Sequence, residues 1–245
     1  MTLLTGETEV FSSQPTESGR CVVAFMAKRQ PDAGGAVYQP QHYQALMTLL
    51  EQLRGEGWLL SFRAMFEAPR GDLPPMALDS GALHEWDMAG AFEAPTLDAA
   101  LAGTVRLEQA GWARLFATQW LLGPREFATV NGAGPDIKRP WGFMALWEWN
   151  DAWCEATADE RAEYDAECDV AFKGDLALNI NIAGRHRLDW AHSWHHLGIW
   201  EVDGLDTVAR AITGHQEAAD FKFTTSRHVA GKVRPLADLL LPVTV

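Results

Sequence analysis

Trp194-His195-His196-Leu197-Gly198-Ile199-Trp200-Glu201, followed by Val202-Asp203-Gly204-Leu205-Asp206, reads as a strand that runs into a helix. Strand alternation places Trp194, His196, Gly198 and Trp200 on one face and Leu197 and Ile199 on the other. The aliphatic face reads as ordinary core. The other face carries an imidazole between indoles, the composition expected of a small-molecule pocket wall. A near-copy stands earlier in the chain: Trp86-Asp87-Met88-Ala89-Gly90-Ala91-Phe92-Glu93, then Leu97-Asp98. Trp86–Gly123 aligns without a gap onto Trp194–Gly231. The identities are Trp86/Trp194, Gly90/Gly198, Glu93/Glu201, Leu97/Leu205, Asp98/Asp206, Ala110/Ala218 and Gly123/Gly231, and Arg114/Lys222 matches in charge. The match covers one supersecondary unit, so it reads as a duplication.

Working outward, each half predicts the order β-α-β-β-α-β of a ferredoxin-like unit. In the first half, Cys21 to Ala27 is an apolar strand. A helix follows from Pro40, with Tyr43, Leu46, Met47, Leu50 and Leu53 at helical spacing, and Gly55 and Gly57 end it. Trp58 to Phe66 alternates as a strand, 68–82 is a Pro- and Gly-rich loop, and the Trp86 stretch is strand three. Thr96 caps a helix to about Ala110, and Leu115 to Leu122 is strand four. The second half repeats this with a strand Trp141–Trp149, in which Phe143-Met144-Ala145 echoes Phe25-Met26-Ala27. Thr157 and Glu160 form a capping box for a helix to about Gly174. The alternation Leu176, Leu178, Ile180, Ile182 against Asn179 and Asn181 predicts a strand over 175–183, and 184–191 reads as a tight loop. A helix on Leu205, Val208, Ala209 and Ile212 and a last strand, 223–229, complete the unit. The predicted organisation is a flexible arm 1–19, a first repeat 20–123, a Gly/Pro linker 124–140, a second repeat 141–235 and a tail 236–245.

The chain has 245 residues, is 47% hydrophobic and carries a net charge of −13. That length buries a sizeable core. Such acidity repels phosphate backbones and anionic lipid, so neither nucleic acid nor membrane is expected as a partner. Met1 to Arg20 is mostly polar and no apolar run approaches a membrane span, so a cytoplasmic chain is expected. Cys21, Cys154 and Cys168 have no zinc-like spacing and read as buried free thiols. Seven of eleven tryptophans lie between Trp141 and Trp200, and six of eight histidines lie beyond residue 185. The chemistry is therefore concentrated in the second half.

An antiparallel sheet with helices on one face must cover its other face. Two such sheets in one chain can face each other as an α+β barrel. This pattern resembles the dimeric α+β barrel superfamily in its fused, tandem form. Residues 141–235 are also similar to the darcynin-like bacterial domains. The carriers are the helix start Trp153-Cys154-Glu155-Ala156-Thr157-Ala158-Asp159-Glu160-Arg161 and the aromatic-x-x-x-Gly-x-Trp-Glu strand at Trp194 to Glu201. The first half lacks the Glu-Arg helix start. Chlorite dismutase-like proteins and aldoxime dehydratases share the fused barrel. The resemblance implies haem bound through a histidine of the C-terminal half, with His215 or His228 as the ligand.

In a barrel whose leucine faces meet the helices, the opposite faces point inward. The inward set is then Ser61 and Arg63, Asn179 and Asn181, Trp86, Met88 and Phe92, and Trp194, His196 and Trp200. Strand 141–149 adds either Trp147 and Trp149 or Glu148, which alternation cannot decide. His196 would serve as general acid or base, Arg63 would hold a carboxylate or enolate, and Asn179 and Asn181 would orient a carbonyl. Trp194, Trp200, Trp147, Trp86, Met88 and Ser61 would bind the substrate. His215 borders a buried helical stripe and replaces Leu107 of the first repeat. His186, His192, His195 and His196 lack metal-ligand geometry, so no metal is expected. Nucleophile, phosphate-loop and dinucleotide motifs are missing. Glu93 and Glu201 read as strand-end groups. The leading expectation is a cofactor-independent monooxygenase, cyclase or isomerase acting on a flat apolar small molecule. The alternatives are a haem enzyme and a non-catalytic binding or assembly protein with a packed barrel. Pairing at an open sheet edge allows a homodimer.

Overall fold

The computed structural model describes residues 20–30, 39–59, 64–66, 78–79, 86–127, 131–188, 194–234 and 236–240. The expected N-terminal arm, Ser61, Arg63 and His192 lie outside them. In chain order the first half contains β1 (Cys21–Arg29), α1 (Pro40–Gly55), β2 (Ala64–Phe66), β3 (Leu78–Asp79), β4 (Met88–Ala94) and α2 (Leu97–Leu107). A π-helical turn over Glu108–Trp112 and a last turn at Ala113–Leu115 lead from α2 to β5 (Phe116–Phe127). The second half contains β6 (Trp141–Trp149), α3 (Asp151–Glu155), α4 (Ala158–Ala177), β7 (Asn181–Arg187), β8 (His196–Val202), α5 (Leu205–Glu217), α6 (Asp220–Phe223) and β9 (Thr224–Arg234). A short α7 (Leu236–Leu239) follows. The α+β class and its two ferredoxin-like halves are as the sequence predicts.

Local signals account for most boundaries. Thr96 Oγ1 accepts the Ala99 amide at 3.1 Å, capping α2. Thr157 and Glu160 exchange capping-box bonds at the start of α4. The strands run in the order β2-β9-β6-β8-β7-β5-β1-β4, with β3 also on β9. Leu59 bridges Glu93 of β4 just before the chain enters β2. The second strand of each half thus touches its own strand three and the other half's strand four, which closes the two sheets on each other. Glu93, read as a strand-end group, is buried in ion pairs with Arg20 and with Arg125, the latter at 2.9 Å.

The registers confirm the duplication and correct one part of it. Phe25 lies opposite Gly90 and Trp120, and Ala145 lies opposite Gly198 and His228. The gap-free match of 86–123 to 194–231 therefore holds in space. In the first strand, however, Phe25 corresponds to Ala145 and not to Phe143. A slip of two residues keeps every side chain on its face, which is why the echo looked plausible.

The facing of the sheets is the reverse of the expectation. The barrel interior is an apolar cluster that includes Val22, Met26, Leu121, Met144, Leu146, Leu197, Ile199 and Val229. Phe92 and Met88 pack under the first-half helices, and Trp200 packs under those of the second. Alternation separates two faces but does not say which is inner, because both faces of these strands are buried. Aliphatic side chains meet at the barrel axis, where they are fully or almost fully buried. Most of the aromatic residues occupy the face toward the helices, while Trp86 and Trp194 pack against the interior cluster.

Two boundaries also move. Residues 175–177 belong to α4, and the strand starts at Asn181 and runs through the expected loop to Arg187. The helix ends where Asn179 adopts a left-handed φ of 63°. β5 continues to Phe127, so the linker is shorter than predicted. Leu236 and Leu240 are fully buried in the first-half core, so residues 236–240 of the expected tail pack with that unit, and 241–245 lie outside the described residues. Among the described residues no helix is long and apolar enough to cross a membrane.

Candidate functional site

A cavity of about 370 Å³ lies in the second half, between the outer face of the sheet and the helices α4, α5 and α6. The repeat explains why it is there. In the first half the same place is filled by Phe25, Trp112 and Trp120, with ring centroids 5.2 to 5.7 Å apart. Leu107 is packed in the same core cluster. Their counterparts are Ala145, Asp220, His228 and His215, and all four line the cavity. One strand position has lost an aromatic ring, and three apolar positions have become titratable. Trp147 and Trp200 form part of the sheet wall, and Phe172 of α4 faces them.

The helix wall carries a hydrogen-bonded chain. Tyr164 of α4 donates its hydroxyl to Asp220 Oδ1. Asp220 Oδ2 is 3.1 Å from His215 Nδ1, and Asp175 Oδ2 is 2.9 Å from His215 Nε2. Burial alone would lower the His215 pKa, but the two carboxylates override it and hold the imidazolium up to about 9. Burial pushes Asp175 and Tyr164 above their ordinary ranges, and the Asp220 charge pushes Tyr164 further. Burial and neighbouring carboxylates raise the Cys168 thiol to about 11, although its contact with Tyr164 works the other way. His228, on the sheet wall, is lowered by burial and stays neutral near pH 7. Of the three thiols expected to be buried, only Cys21 is; Cys154 is exposed and Cys168 half-buried.

Several expected site residues lie elsewhere. Asn181 Oδ1 accepts the Gly132 amide at 2.9 Å. Asn179 accepts from Arg139 at 2.7 Å and donates to the Pro135 carbonyl at 2.7 Å. Both amides hold the linker and neither lines the cavity. His196 is buried behind the cavity wall, stacked on Trp147 at 5.2 Å and edge-on to Trp149 at 5.2 Å. Trp86 and Trp194 pack against the barrel interior. Met88 belongs to the first-half core. Trp147, Trp200, His215 and His228 do line the cavity. Tyr164, Asp175 and Asp220 were missed. The signal for Asp220 was its alignment opposite Trp112, whereas Asp175 was hidden by its assignment to a strand.

The fold was compared with known proteins. No family model matches the chain, and no characterised protein sequence does. Solved structures do match. A chlorite dismutase variant from Candidatus Nitrospira defluvii superposes with a TM-score of 0.71 at 15% identity, covering 96% of this chain and 98% of that one. The same enzyme in complex with imidazole gives 0.70 at 15% identity, with 92% and 95% covered. The chain has the chlorite dismutase fold. The darcynin resemblance of the second half rests on its motif residues alone.

Proposed function

We propose that the second-half cavity binds haem through His228 and that the chain is a haem enzyme built on the chlorite dismutase fold. The observation that carries this reading is the replacement of Phe25, Trp112 and Trp120 by Ala145, Asp220 and His228, which opens a cavity and sets an imidazole in its wall. The solved neighbours are chlorite dismutases, and imidazole or cyanide is bound in two of those structures.

The donor set discriminates between the two expected ligands. Both His215 nitrogens are engaged by carboxylates, so an iron bond would require one of those bonds to break. His228 is neutral, and a neutral imidazole carries the lone pair that iron needs. Trp147 and Trp200 offer flat apolar faces, and Arg185 on the same wall supplies a cation suited to a carboxylate. When bound, haem would supply one-electron and oxygen chemistry. The protein would orient it, exclude water and keep His215 out of the iron's coordination sphere. The cofactor-independent reading has no comparable support from the fold, and a cavity of this size removes the main argument for an assembly protein.

Haemin titration of the purified protein tests the proposal. A Soret band should develop at about one equivalent in the wild type and in His215→Gln, and be lost or strongly shifted in His228→Ala. Uptake unaffected by His228→Ala but abolished by His215→Gln would contradict the assignment.

A further inference from the structure

We propose that Asn131 is a latent deamidation site and that Asn181 guards it by holding the backbone nitrogen that would attack. The inference concerns the loop 131–139 and is independent of what the cavity binds. Asn131-Gly132 is the only Asn-Gly pair in the chain, and Asn131 is exposed. In such a pair the glycine nitrogen bonds to the asparagine side-chain carbonyl carbon, its proton passes to solvent base, and ammonia leaves. The cyclic imide then takes up water and opens to aspartate or isoaspartate. No oxidant or cofactor is required, and glycine, without a Cβ, shields its nitrogen least.

Packing holds the glycine in place. Its backbone lies against Asn179, and a Cβ at 132 would come within 2.5 Å of the Asn179 carbonyl carbon. The reactive pair is therefore kept by the fold, and its protection has to come from hydrogen bonds. The Gly132 amide donates to Asn181 Oδ1 at 2.9 Å, and the next amide, that of Ala133, donates to the Leu176 carbonyl at 2.8 Å. Asn181 is itself buried at the start of β7. Attack requires the Gly132 nitrogen to give up its proton and to swing onto the Asn131 side chain. Both steps first break the bond to Asn181, so the reaction waits on local opening of the loop. Asn179 closes the same loop through Arg139 and the Pro135 carbonyl. Damage here would reach the cavity wall. Isoaspartate adds a carbon to the main chain at 131 and draws Gly132 and Ala133 away from their acceptors. One of those acceptors, Leu176, adjoins Asp175, the partner of His215.

The test needs no ligand. Purified full-length protein is incubated at mildly alkaline pH, folded and in urea, and residue 131 is followed by peptide mass and by enzymatic methylation of isoaspartate. Conversion should be about tenfold or more slower in the folded protein. Asn181→Ala should raise the folded rate about fivefold or more, the factor that one lost hydrogen bond carries. Leu197→Ala, which loosens the barrel interior without touching the loop, should stay close to wild type. Hydrogen exchange read by NMR gives a second measure that needs no variant, because the Gly132 amide of the wild type should be protected. Equal rates folded and in urea, or an unprotected Gly132 amide, overturn the inference. A folded Asn181→Ala that deamidates at the wild-type rate also overturns it, and so does a Leu197→Ala rate that matches Asn181→Ala.

Discussion

His215 stands where the first repeat has Leu107, and its partners Asp175 and Asp220 come from different helices. Its raised pKa ties stability to pH with a definite sign. The imidazolium stabilises the fold fully below its unfolded value of about 6.5, and that contribution is lost as pH rises through about 9. Urea unfolding between pH 6.5 and 9.5 should show a decline on the order of 2–3 kcal/mol that is absent in His215→Gln. A flat wild-type profile would contradict the ion pairs. Thiol chemistry offers a second check at the same scale. Cys154 is exposed, whereas Cys168 is half-buried with its pKa up at about 11. Alkylation at pH 8 should therefore label Cys154 at least tenfold faster, as read by peptide mass. The alignment showed His215 and could have shown Asp220 and His228. It could not show that two carboxylates meet on one imidazole, because that depends on how α4, α5 and α6 converge.

At the scale of elements, the two halves are one design in filled and opened forms. Phe25→Ala should cost about 3–5 kcal/mol in urea unfolding, because Trp112 and Trp120 are packed around that ring. Loss of the cap on α4 through Thr157→Ala should cost about 1 kcal/mol. Capping residues and hydrophobic spacing made these helices legible in advance. The end of α4 was not legible. Leu176, Leu178, Ile180 and Ile182 satisfy a strand period, but Asp175 is held by His215 and the chain turns at Asn179, whose amide is fixed by Arg139 and Pro135. Those contacts come from the linker and from α5, beyond the reach of local periodicity.

At the scale of the molecule, the barrel axis is apolar and the cavity lies outside it. Leu197→Ala should cost about 2–5 kcal/mol and leave ligand uptake by the folded protein unchanged, since Leu197 faces the interior cluster and not the cavity. The duplicated order and the covering of one sheet by the other followed from the repeat. Which face of each strand looks inward did not, because two apolar faces carry no label. That one ambiguity moved the expected site from under the helices into the barrel, and with it His196 and the asparagines. The central claim is that the second half binds its ligand where the first half holds Phe25. Restoring that ring with Ala145→Phe, followed by haemin titration beside the wild type with circular dichroism as the control for folding, tests it most directly. The account requires a Soret band in the wild type and none in the folded variant. Equal uptake by both, or uptake by neither, would contradict it.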